Sequence, residues 1–371
     1  MEKIALIGDP HFGRKAEHPL IKSHIKDGQL AYFNYIAEEL KLRNVKTVLI
    51  TGDLHDTRQS INTEALVQTY RLLKNTFKDF DMHILLGNHD MYYENSYDIT
   101  ALELFEDLPN VSVYRDGVKT RNFLGKTWYM VPWIIHEQEE KVVNFLNQLA
   151  SKPLEKRNES VIFGHFEMFG VNMEGNSIST FGLDPNLFMN ASNTIISGHY
   201  HGKSVTKKST STLTYVGSPY QLTFANADQQ HGIWLIDENL NFEFLENNIS
   251  PRFTDIWDVD DLDALPDLTN YFVRYHTCTS NSPEKEFELR LKIENKKPIL
   301  IRSMPYVGNK SEIEAKTETE REANRIVKMS AMDLAEIYID QNSENLPTLK
   351  THIDAKQAII SKLKTYNETI N

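Results

Sequence analysis

The sequence predicts an α/β fold in which buried, largely parallel strands are covered by amphipathic helices. Two observations over residues 1–200 lead to this class. Short β-branched runs such as Ile4–Ile7 alternate with helical apolar stripes, the first of which is Leu30, Phe33, Ala37 and Leu40. The strands are also continuously apolar, which is typical of strands buried on both faces. After residue 202 strands follow without long helices, which predicts a second sheet packed on the first.

The remaining elements follow the same alternation. The strand Thr47–Thr51 precedes a helical stripe from Leu66 to Phe77, and the strand Met82–Leu86 precedes a stripe at Ile99, Leu102, Phe105 and Leu108. A helix stripe from Val142 to Leu149 then leads to further strands. These predicted strands are Ser160–Phe163, Thr194–Ser197, Thr212–Val216, Gly232–Asp237 and Asn241–Leu245.

The chain is predicted to contain a large domain over residues 1–250, a small domain over 251–310 and a terminal segment over 311–371. An acidic stretch from Asp255 to Asp267 marks the first boundary. The strands expected in the small domain are Tyr271–Cys278, Phe287–Ile293 and Pro298–Ser303. Two amphipathic helices, over about residues 329–341 and 349–367, are expected to close the chain.

Composition favours a soluble globular protein, with 40% hydrophobic and 25% charged residues in 371. A net charge of −12 argues against a general nucleic-acid coat but not against a nuclease, because bound cations reverse the sign of a site. The single cysteine, Cys278, excludes intrachain disulfides and fits a reducing compartment. No apolar stretch is long enough to cross a bilayer, and the first strand leaves no room for a signal peptide. We therefore expect a cytoplasmic protein.

Five predicted strands end in the same kind of short sequence motif, a strand-end word: a glycine followed by Asp, Asn or His. The words are Gly8-Asp9-Pro10-His11, Gly52-Asp53, Gly87-Asn88-His89-Asp90, Gly164-His165 and Gly198-His199-Tyr200-His201. Ligands of α/β sheets gather outside the carboxyl ends of the strands, so these words should converge on one crevice. Glycine at each exit permits a close approach of the backbone.

Each word alone is weak, since Gly-Asp is usually a turn and a lone histidine is usually structural. Five words in register with the strands predict a metal site. Imidazole with carboxylate and amide oxygens suits manganese, zinc or iron, and the lack of thiolates argues against a structural zinc site.

These words resemble those of the calcineurin-like metallophosphoesterase superfamily. Within it, the segment Tyr215–Leu222 is similar to the SbcD / MRE-eleven recombination nuclease family. The stretches Val131-Pro132-Trp133, 164–167 and Gly232–Asp237 look closest to the T-even-phage branch of recombination endonuclease subunits. The resemblance covers about residues 1–245. It implies a four-layer α-β-β-α sandwich with a small α/β capping domain that binds DNA and C-terminal helices.

The resemblance also implies two divalent metal ions, with manganese the expected metal. The ligands it implies are Asp9, His11 and His201 for one ion, Asn88, His165 and His199 for the other, and Asp53 as the bridge. A metal-activated hydroxide would attack phosphorus, and His89 would stabilise or protonate the leaving oxygen. Some family members carry histidine where Asp56 stands, so neither Asp56 nor His55 receives a role.

Several further residues are candidates for contact with DNA. Arg14, Arg58 and Lys203 could form a basic rim for the backbone, with solvated surface charge as the alternative for each. Tyr32, Tyr92, Tyr93 and Phe166 could stack on unpaired bases, with packing as the alternative.

The terminal helices have a possible partner. The family resemblance implies that they grip the coiled-coil base of an SMC-like ATPase of the SbcC / Rad-fifty type, in a heterotetramer built on a homodimer. The apolar side chains expected to make this contact are Leu334, Ile337, Tyr338, Leu349, Ile353, Ile360 and Leu363. The alternative is packing onto their own domain.

Three functions remain open from the sequence. The leading hypothesis is a metal-dependent DNA nuclease of an SbcCD-type recombination and repair complex, acting as a double-strand exonuclease and a single-strand endonuclease. The first alternative is a phosphoesterase acting on small molecules or proteins, which would use the same metals. The second is an inactive scaffold subunit of a replication or repair assembly, although no implied ligand is missing.

Overall fold

The computed structural model describes residues 2–16, 18–171 and 178–308, and within them fifteen strands form three sheets. The first sheet has six strands, in the order β12 (Phe242–Glu246), β11 (Gly232–Asp237), β1 (Lys3–Ile7), β2 (Thr47–Ile50), β3 (Asp81–Leu85) and β4 (Val111–Tyr114). Strands β1 to β4 are parallel, and β11 and β12 extend the sheet by antiparallel pairing.

The second sheet also has six strands, in the order β5 (Lys119–Phe123), β6 (Lys126–Val131), β7 (Ser160–His165), β8 (Thr194–Gly198), β10 (Ser211–Tyr215) and β9 (Ser204–Lys208). Its four central strands, β6, β7, β8 and β10, are parallel. The edge strands β5 and β9 pair antiparallel with their neighbours. Both sheets therefore present a group of parallel carboxyl ends.

The helices are α1 (Pro19–Leu42), α2 (Thr63–Arg71), α3 (His136–Ala150), α4 (Leu154–Asn158), α5 (Pro185–Ala191) and α6 (Pro283–Glu294). A π-helical turn, Leu72–Thr76, continues α2, and 3₁₀ turns lie at Ala101–Phe105 and Phe224–Asn226. Helix α1 begins where the His18 side chain accepts a hydrogen bond from the amide of Leu20 and Pro19 occupies the first turn.

Three apolar clusters define four layers. Between the sheets, Leu6 and Leu49 of the first pack with Phe163 and Ile196 of the second. The outer face of the first sheet is covered by α1 through side chains such as Phe33, and the outer face of the second is covered by α3 and α5. The order is helix, sheet, sheet, helix, so the predicted α-β-β-α sandwich is confirmed.

The prediction that the strands after residue 202 build the second sheet is wrong. Strands β9 and β10 join a sheet already formed by β5 to β8, while β11 and β12 return to the first sheet. The words that follow β7 and β8 therefore belong to a different sheet from those that follow β1, β2 and β3. Apolar periodicity carries no information on which strands pair, and this is why the sequence did not reveal the division.

The helix predicted from the stripe Ile99 to Leu108 is a single 3₁₀ turn, Ala101–Phe105. The apolar residues recur every three positions, which is the period of a 3₁₀ helix rather than of an α-helix. Leu102 and Phe105 are fully buried, whereas Ile99 is exposed. Strand β4 begins at Val111, so the chain has no room for a longer helix.

Residues 252–306 form a third sheet in which β13 (Arg252–Trp257), β14 (Tyr271–Cys278) and β15 (Leu300–Tyr306) are parallel. Helix α6 packs on it through Ile293, against Tyr275 of the central strand. This sheet belongs to the same compact unit as the sandwich, and the predicted boundaries at residues 250 and 310 stay predictions.

The strand predicted over Phe287–Ile293 is wrong, because these residues lie within α6. Apolar residues alternate in this stretch as they do in a strand with one buried face. Such a strand would bury both Phe287 and Ile293, but Phe287 is 70% exposed and only Ile293 is buried. The helical signal was the local sequence, in which Ser282 caps the amide of Lys285 and Pro283 occupies the first turn. Within the described ranges, no helix has the length and apolar content needed to cross a membrane.

Candidate metal centre

The five strand-end words converge where the carboxyl ends of strands from the two six-stranded sheets meet, and this boundary is called the seam. The main-chain amide of His199, after β8, donates to Oδ2 of Asp9, after β1, over 2.8 Å. Nε2 of His165, the last residue of β7, lies 3.4 Å from Oδ2 of Asp53, after β2. All five words are therefore brought together as predicted, although they come from two sheets.

Glycine at the strand exits is required by close approach. A Cβ atom added to Gly87 would clash with the main chain and the Oδ1 atom of Asp53. A Cβ atom added to Gly198 would clash with Oγ1 of Thr51 and Oδ1 of Asp9. Any larger residue at either position would displace a carboxylate of the centre.

Three residues of the centre have left-handed backbone conformations, with φ of 45° at His11, 49° at Asp53 and 90° at His199. Such conformations are uncommon outside glycine and cluster at functional sites. Hydrogen bonds hold the first two in place: the amide of His11 donates to the carbonyl of Asp53 and that of Phe12 to the carbonyl of Leu54, each over 2.9 Å. The strained turns aim their side chains into the centre.

One group of donors contains His11, His201 and Asp9. The Nε2 atoms of His11 and His201 are 2.9 Å apart. Nε2 of His11 also lies 3.6 Å from Oδ2 of Asp53. The Asp9 carboxylate accepts from the Thr51 hydroxyl over 3.0 Å as well as from the His199 amide. Asp9 and His11 are completely buried.

A second group contains Asn88, His165 and His199. The Oδ1 atom of Asn88 is 3.0 Å from Nε2 of His165 and 3.2 Å from Nδ1 of His199. Nδ1 of His165 donates to the carbonyl of Thr51 over 2.9 Å, because a carbonyl can only accept. This bond leaves Nε2 of His165 as the nitrogen that faces the centre.

Asp53 lies between the two groups. Its Oδ2 atom is 3.6 Å from Nε2 of His11 and 3.4 Å from Nε2 of His165, and its Oδ1 atom accepts from the His89 amide over 2.7 Å. Asp53 thus lies within 3.6 Å of a histidine nitrogen of each group.

The charges of the centre are strongly coupled. Burial alone would raise the pKa of Asp53, but the charges of His165 and His11 outweigh it and hold that pKa well below its usual value. Burial alone would lower the pKa of His165, but Asp53 and Asp9 raise it to about 9. Burial and the charge of His165 lower the pKa of His199 to about 3. The Asp53 carboxylate is therefore stabilised by positive charge beside it, and a metal ion would take the place of the His165 proton.

The donor set fits divalent metal ions. Ligand atoms about 2.1 Å from one ion stand roughly 3 to 3.5 Å from each other. The close contacts within each group, between 2.9 and 3.2 Å, and the approaches of Asp53 at 3.4 and 3.6 Å match this spacing. Over residues 2–16, 18–171 and 178–308, no three His, Cys, Asp or Glu side chains form a closed cage around one point. The fit therefore rests on the chemistry of the donors and on their proximity.

His89 is beside the centre but outside both groups. Its ring Nδ1 is 2.8 Å from the carbonyl of Asp56, so Nδ1 carries the proton and Nε2 is the nitrogen left for a substrate. Its ring lies edge-on to that of His11, with 4.9 Å between the ring centres.

Asp56 and Asp90, which have no role assigned from sequence, support this region. The Asp56 carboxylate accepts from Nη1 of Arg14 over 2.6 Å and lies 3.6 Å from Nδ1 of His11. The Asp90 carboxylate accepts from the amides of Gly87 at 2.9 Å and Leu54 at 3.0 Å. No motif distinguished either carboxylate from an ordinary turn residue.

His55 is completely buried and has a different role from the site histidines. Its ring stacks on Phe105, with 6.0 Å between the ring centres, and burial lowers its pKa to about 4. Neither ring nitrogen has a hydrogen-bond partner among the described residues. The neutral imidazole therefore packs as an aromatic side chain.

The three basic side chains proposed as a DNA rim are all engaged. Arg14 contacts Asp56, and Arg58 donates to Glu94 over 2.8 Å. Lys203 lies over the Phe244 ring, 3.8 Å from its centre. Contact of these side chains with DNA stays a prediction.

The four candidate stacking residues divide into two pairs. Tyr32 and Phe166 are 1% exposed and pack in the cores. Tyr92 and Tyr93 are 38% and 48% exposed and lie edge-on to each other. The candidate partner residues Leu334, Ile337, Tyr338, Leu349, Ile353, Ile360 and Leu363 lie outside the described residues.

The family model of the calcineurin-like phosphoesterases matches residues 2–203. This match covers more than half of the chain and all seven metal-site positions, and the chain belongs to the calcineurin-like phosphoesterase family.

Two viral proteins are similar to the chain. Exonuclease subunit 1 of Enterobacteria phage T4 is 28% identical over 250 residues, which are 66% of this chain and 68% of that protein. The 244L protein of Invertebrate iridescent virus 6, a candidate phosphoesterase by name, is 27% identical over 240 residues, 63% of this chain and 76% of that protein. The expected superfamily and the link to the phage nuclease are thereby confirmed.

Among solved structures, a dimetal phosphatase from Danio rerio aligns with 63% of this chain and 91% of its own. Its TM-score of 0.37 and 13% identity are too low to support an inference.

Proposed function

We propose that the chain is a metal-dependent DNA nuclease that hydrolyses phosphodiester bonds, acting as a double-strand exonuclease and a single-strand endonuclease. The observation that carries the proposal is the pair of donor groups on either side of Asp53, with His89 beside them. Similarity to an exonuclease subunit of phage T4 supports a nuclease over a phosphoesterase for small molecules. Retention of all seven donors argues against an inactive scaffold.

The proposed nuclease binds two divalent ions. Manganese suits the mixture of imidazole, carboxylate and amide ligands. The proposed ligands are Asp9, His11 and His201 for one ion, Asn88, His165 and His199 for the other, and Asp53 for both. Bound there, the ions would lower the pKa of water so that hydroxide is available at neutral pH.

The protein's own contribution centres on His89. The bond from its Nδ1 to the carbonyl of Asp56 fixes the ring. In the imidazolium form Nε2 would carry a second proton, which it would give to the leaving oxygen, and the neutral ring would keep the Nδ1 proton. The bond from its amide to Asp53 fixes the same loop to the proposed bridge. His89 is therefore the proposed general acid.

Of the three basic side chains, Arg58 is the one that we propose contacts the DNA backbone. Its partner Glu94 has a side chain that is 80% exposed, so their ion pair is weak and a phosphate could replace the carboxylate. Arg14 is held by a more buried carboxylate, and Lys203 is held over an aromatic ring. These two would contribute mainly through the local potential.

The complex is a further part of the proposal. The similar phage protein is named as a subunit, which supports a partner protein. We propose an SMC-like ATPase of the SbcC / Rad-fifty type, gripped by residues 329–367, with a homodimer of this chain in a heterotetramer. A phage protein of this kind would act in the cytoplasm of the host cell.

The test compares two substrates, linear duplex DNA and bis(p-nitrophenyl) phosphate, with manganese present or chelated. The wild type should degrade DNA only with manganese. His89→Ala should lower the rate about 10² to 10⁴-fold, because a positioned acid is lost. Metal occupancy, measured by elemental analysis, should not change.

Hydrolysis of the small ester without DNA degradation would favour the alternative, a phosphoesterase for small molecules or proteins. Deletion of residues 329–371 tests the partner separately. It should abolish co-purification with the ATPase and leave metal binding intact, and retained co-purification would refute the helix contact.

A further inference from the structure

A cavity of about 160 Å³ lies beside the metal centre, and most of its lining side chains have no role in the proposed hydrolysis. It shares His165 with the centre, so a group bound in the cavity would lie next to a phosphate held there. Its other walls include Trp133, Ile134, Glu139, Glu167 and Leu183.

Trp133 forms a fixed aromatic wall. Its amide donates to the carbonyl of Leu86 over 2.8 Å, and its carbonyl accepts from the hydroxyl of Tyr97 over 2.7 Å. Its ring lies 5.1 Å from that of His199, measured between centres. The indole is thus held in a defined position relative to the metal centre.

Glu167 places a carboxylate at the same cavity. Its carbonyl accepts from the amide of Leu183 over 3.3 Å, and a bridge between Met168 and Leu183 holds the segment. The Glu167 side chain is half-buried, and its carboxylate has no hydrogen-bond or ion-pair partner among the described residues. A half-buried acceptor without a donor is open to one supplied by a ligand.

The lining chemistry defines the kind of ligand. No lysine or arginine lines the cavity, while Glu139 and Glu167 do, so a phosphate would be repelled. A volume of about 150 Å³ suffices for one aromatic ring. A flat, neutral ring that carries an amino group fits the aromatic wall and the free acceptor together.

We infer that this cavity binds a nucleobase of the nucleotide next to the scissile phosphodiester, with its ring on Trp133 and its exocyclic amino group donating to Glu167. The inference rests on the proposed function. It identifies the base next to the scissile bond as the part of the substrate that this cavity recognises. Carboxylates accept from the amino group of cytosine, whereas thymine has no such donor. The cavity therefore favours cytosine over thymine.

The test is a fluorescence titration of the full-length chain with 2′-deoxycytidine and with thymidine. Trp133→Phe identifies the part of the signal that comes from Trp133 among the four tryptophans. We expect deoxycytidine to bind about tenfold more tightly than thymidine, and Glu167→Ala to abolish the difference. Glu137→Ala is the matched control, because Glu137 is exposed on α3 and does not line the cavity.

Equal affinity for the two nucleosides would overturn the inference, as would a signal unchanged in Trp133→Phe or a preference that survives Glu167→Ala. Thermal melting of each variant checks that it is folded. The titration needs neither metal nor cleavage, so it reports on the cavity even if DNA is not degraded. Conversely, DNA degradation without base preference would leave the proposed nuclease intact and remove only this inference.

Discussion

Arg14 donates from Nη1 to Oδ1 of Asp56 over 2.6 Å, and the carbonyl of the same aspartate accepts from Nδ1 of His89 over 2.8 Å. The Asp56 side chain is 6% exposed, so this ion pair is well shielded from water. One residue thus contacts both Arg14 and the proposed general acid. Asp56 is a positioning residue for His89.

Asp56→Ala keeps the carbonyl that contacts His89 but removes the carboxylate that holds Arg14 and lies 3.6 Å from Nδ1 of His11. The loop is then held less firmly, so kcat for linear duplex DNA should fall about 10 to 100-fold. KM should change less, because the metal ligands remain. Asp56→Asn should restore part of the activity. Arg115→Ala, which removes a surface pair with Glu103, is the control and should behave as wild type. Equal losses of kcat in Asp56→Ala and Arg115→Ala would refute a specific role for Asp56.

Gly87→Ala should abolish metal binding, because the added Cβ would displace the Asp53 carboxylate. Gly202→Ala is the matched control. It also adjoins a proposed ligand, but its Cβ would meet only Oε1 of Gln229, at 3.7 Å. Isothermal titration with manganese separates the two variants. Normal binding by Gly87→Ala would contradict the required close approach.

Manganese should raise the unfolding temperature by several degrees. Ligand that binds only the folded state adds about 2.7 kcal/mol at one hundred times its dissociation constant. Asp53→Asn should remove most of this shift, because Asp53 stands between both donor groups. Calorimetry with and without a chelator measures it, and an unchanged shift in Asp53→Asn would exclude the bridge.

Asp255 should contribute to stability in a pH-dependent way. Burial alone would raise its pKa, but His276 and Arg274 outweigh burial and lower it to about 2. Its folded-state pKa lies below the unfolded value, so the stabilisation is present above about pH 4 and is lost as the pH falls towards 2.

The corresponding variant is Asp255→Asn. It should lower the free energy of unfolding at pH 7 by about 2 kcal/mol, and the deficit should shrink below pH 4. Urea titrations at several pH values measure the deficit. A deficit independent of pH would show that the carboxylate charge is not its source.

Much of the metal centre could be predicted from the chain alone. The glycines at positions such as Gly87 and Gly198 mark where carboxylates approach the backbone, and each ligand follows a strand end. A close approach of a side chain to the main chain can be recognised in the sequence, because it requires glycine at that one position.

Features that depend on distant packing could not be predicted in this way. The sequence did not show that His165 and His199 come from the second sheet, because pairing is set by contacts far apart in the chain. Trp133 and Glu167 both lie in stretches that resemble the family, but no sequence pattern links the two, and only the fold places them at one cavity. Phe287 and Ile293 alternate like strand residues, yet their cap and tertiary contacts favour a helix.

The division of the donors between two sheets has a consequence for motion. Asp9 and His199 are 190 residues apart in sequence, and their hydrogen bond crosses the seam. Any separation of the sheets would break both donor groups at once, so metal release is coupled to a sub-global opening rather than to a loop. Bound ions should therefore slow amide hydrogen exchange in β1 and β8 together, far more than in the edge strands β5 and β9.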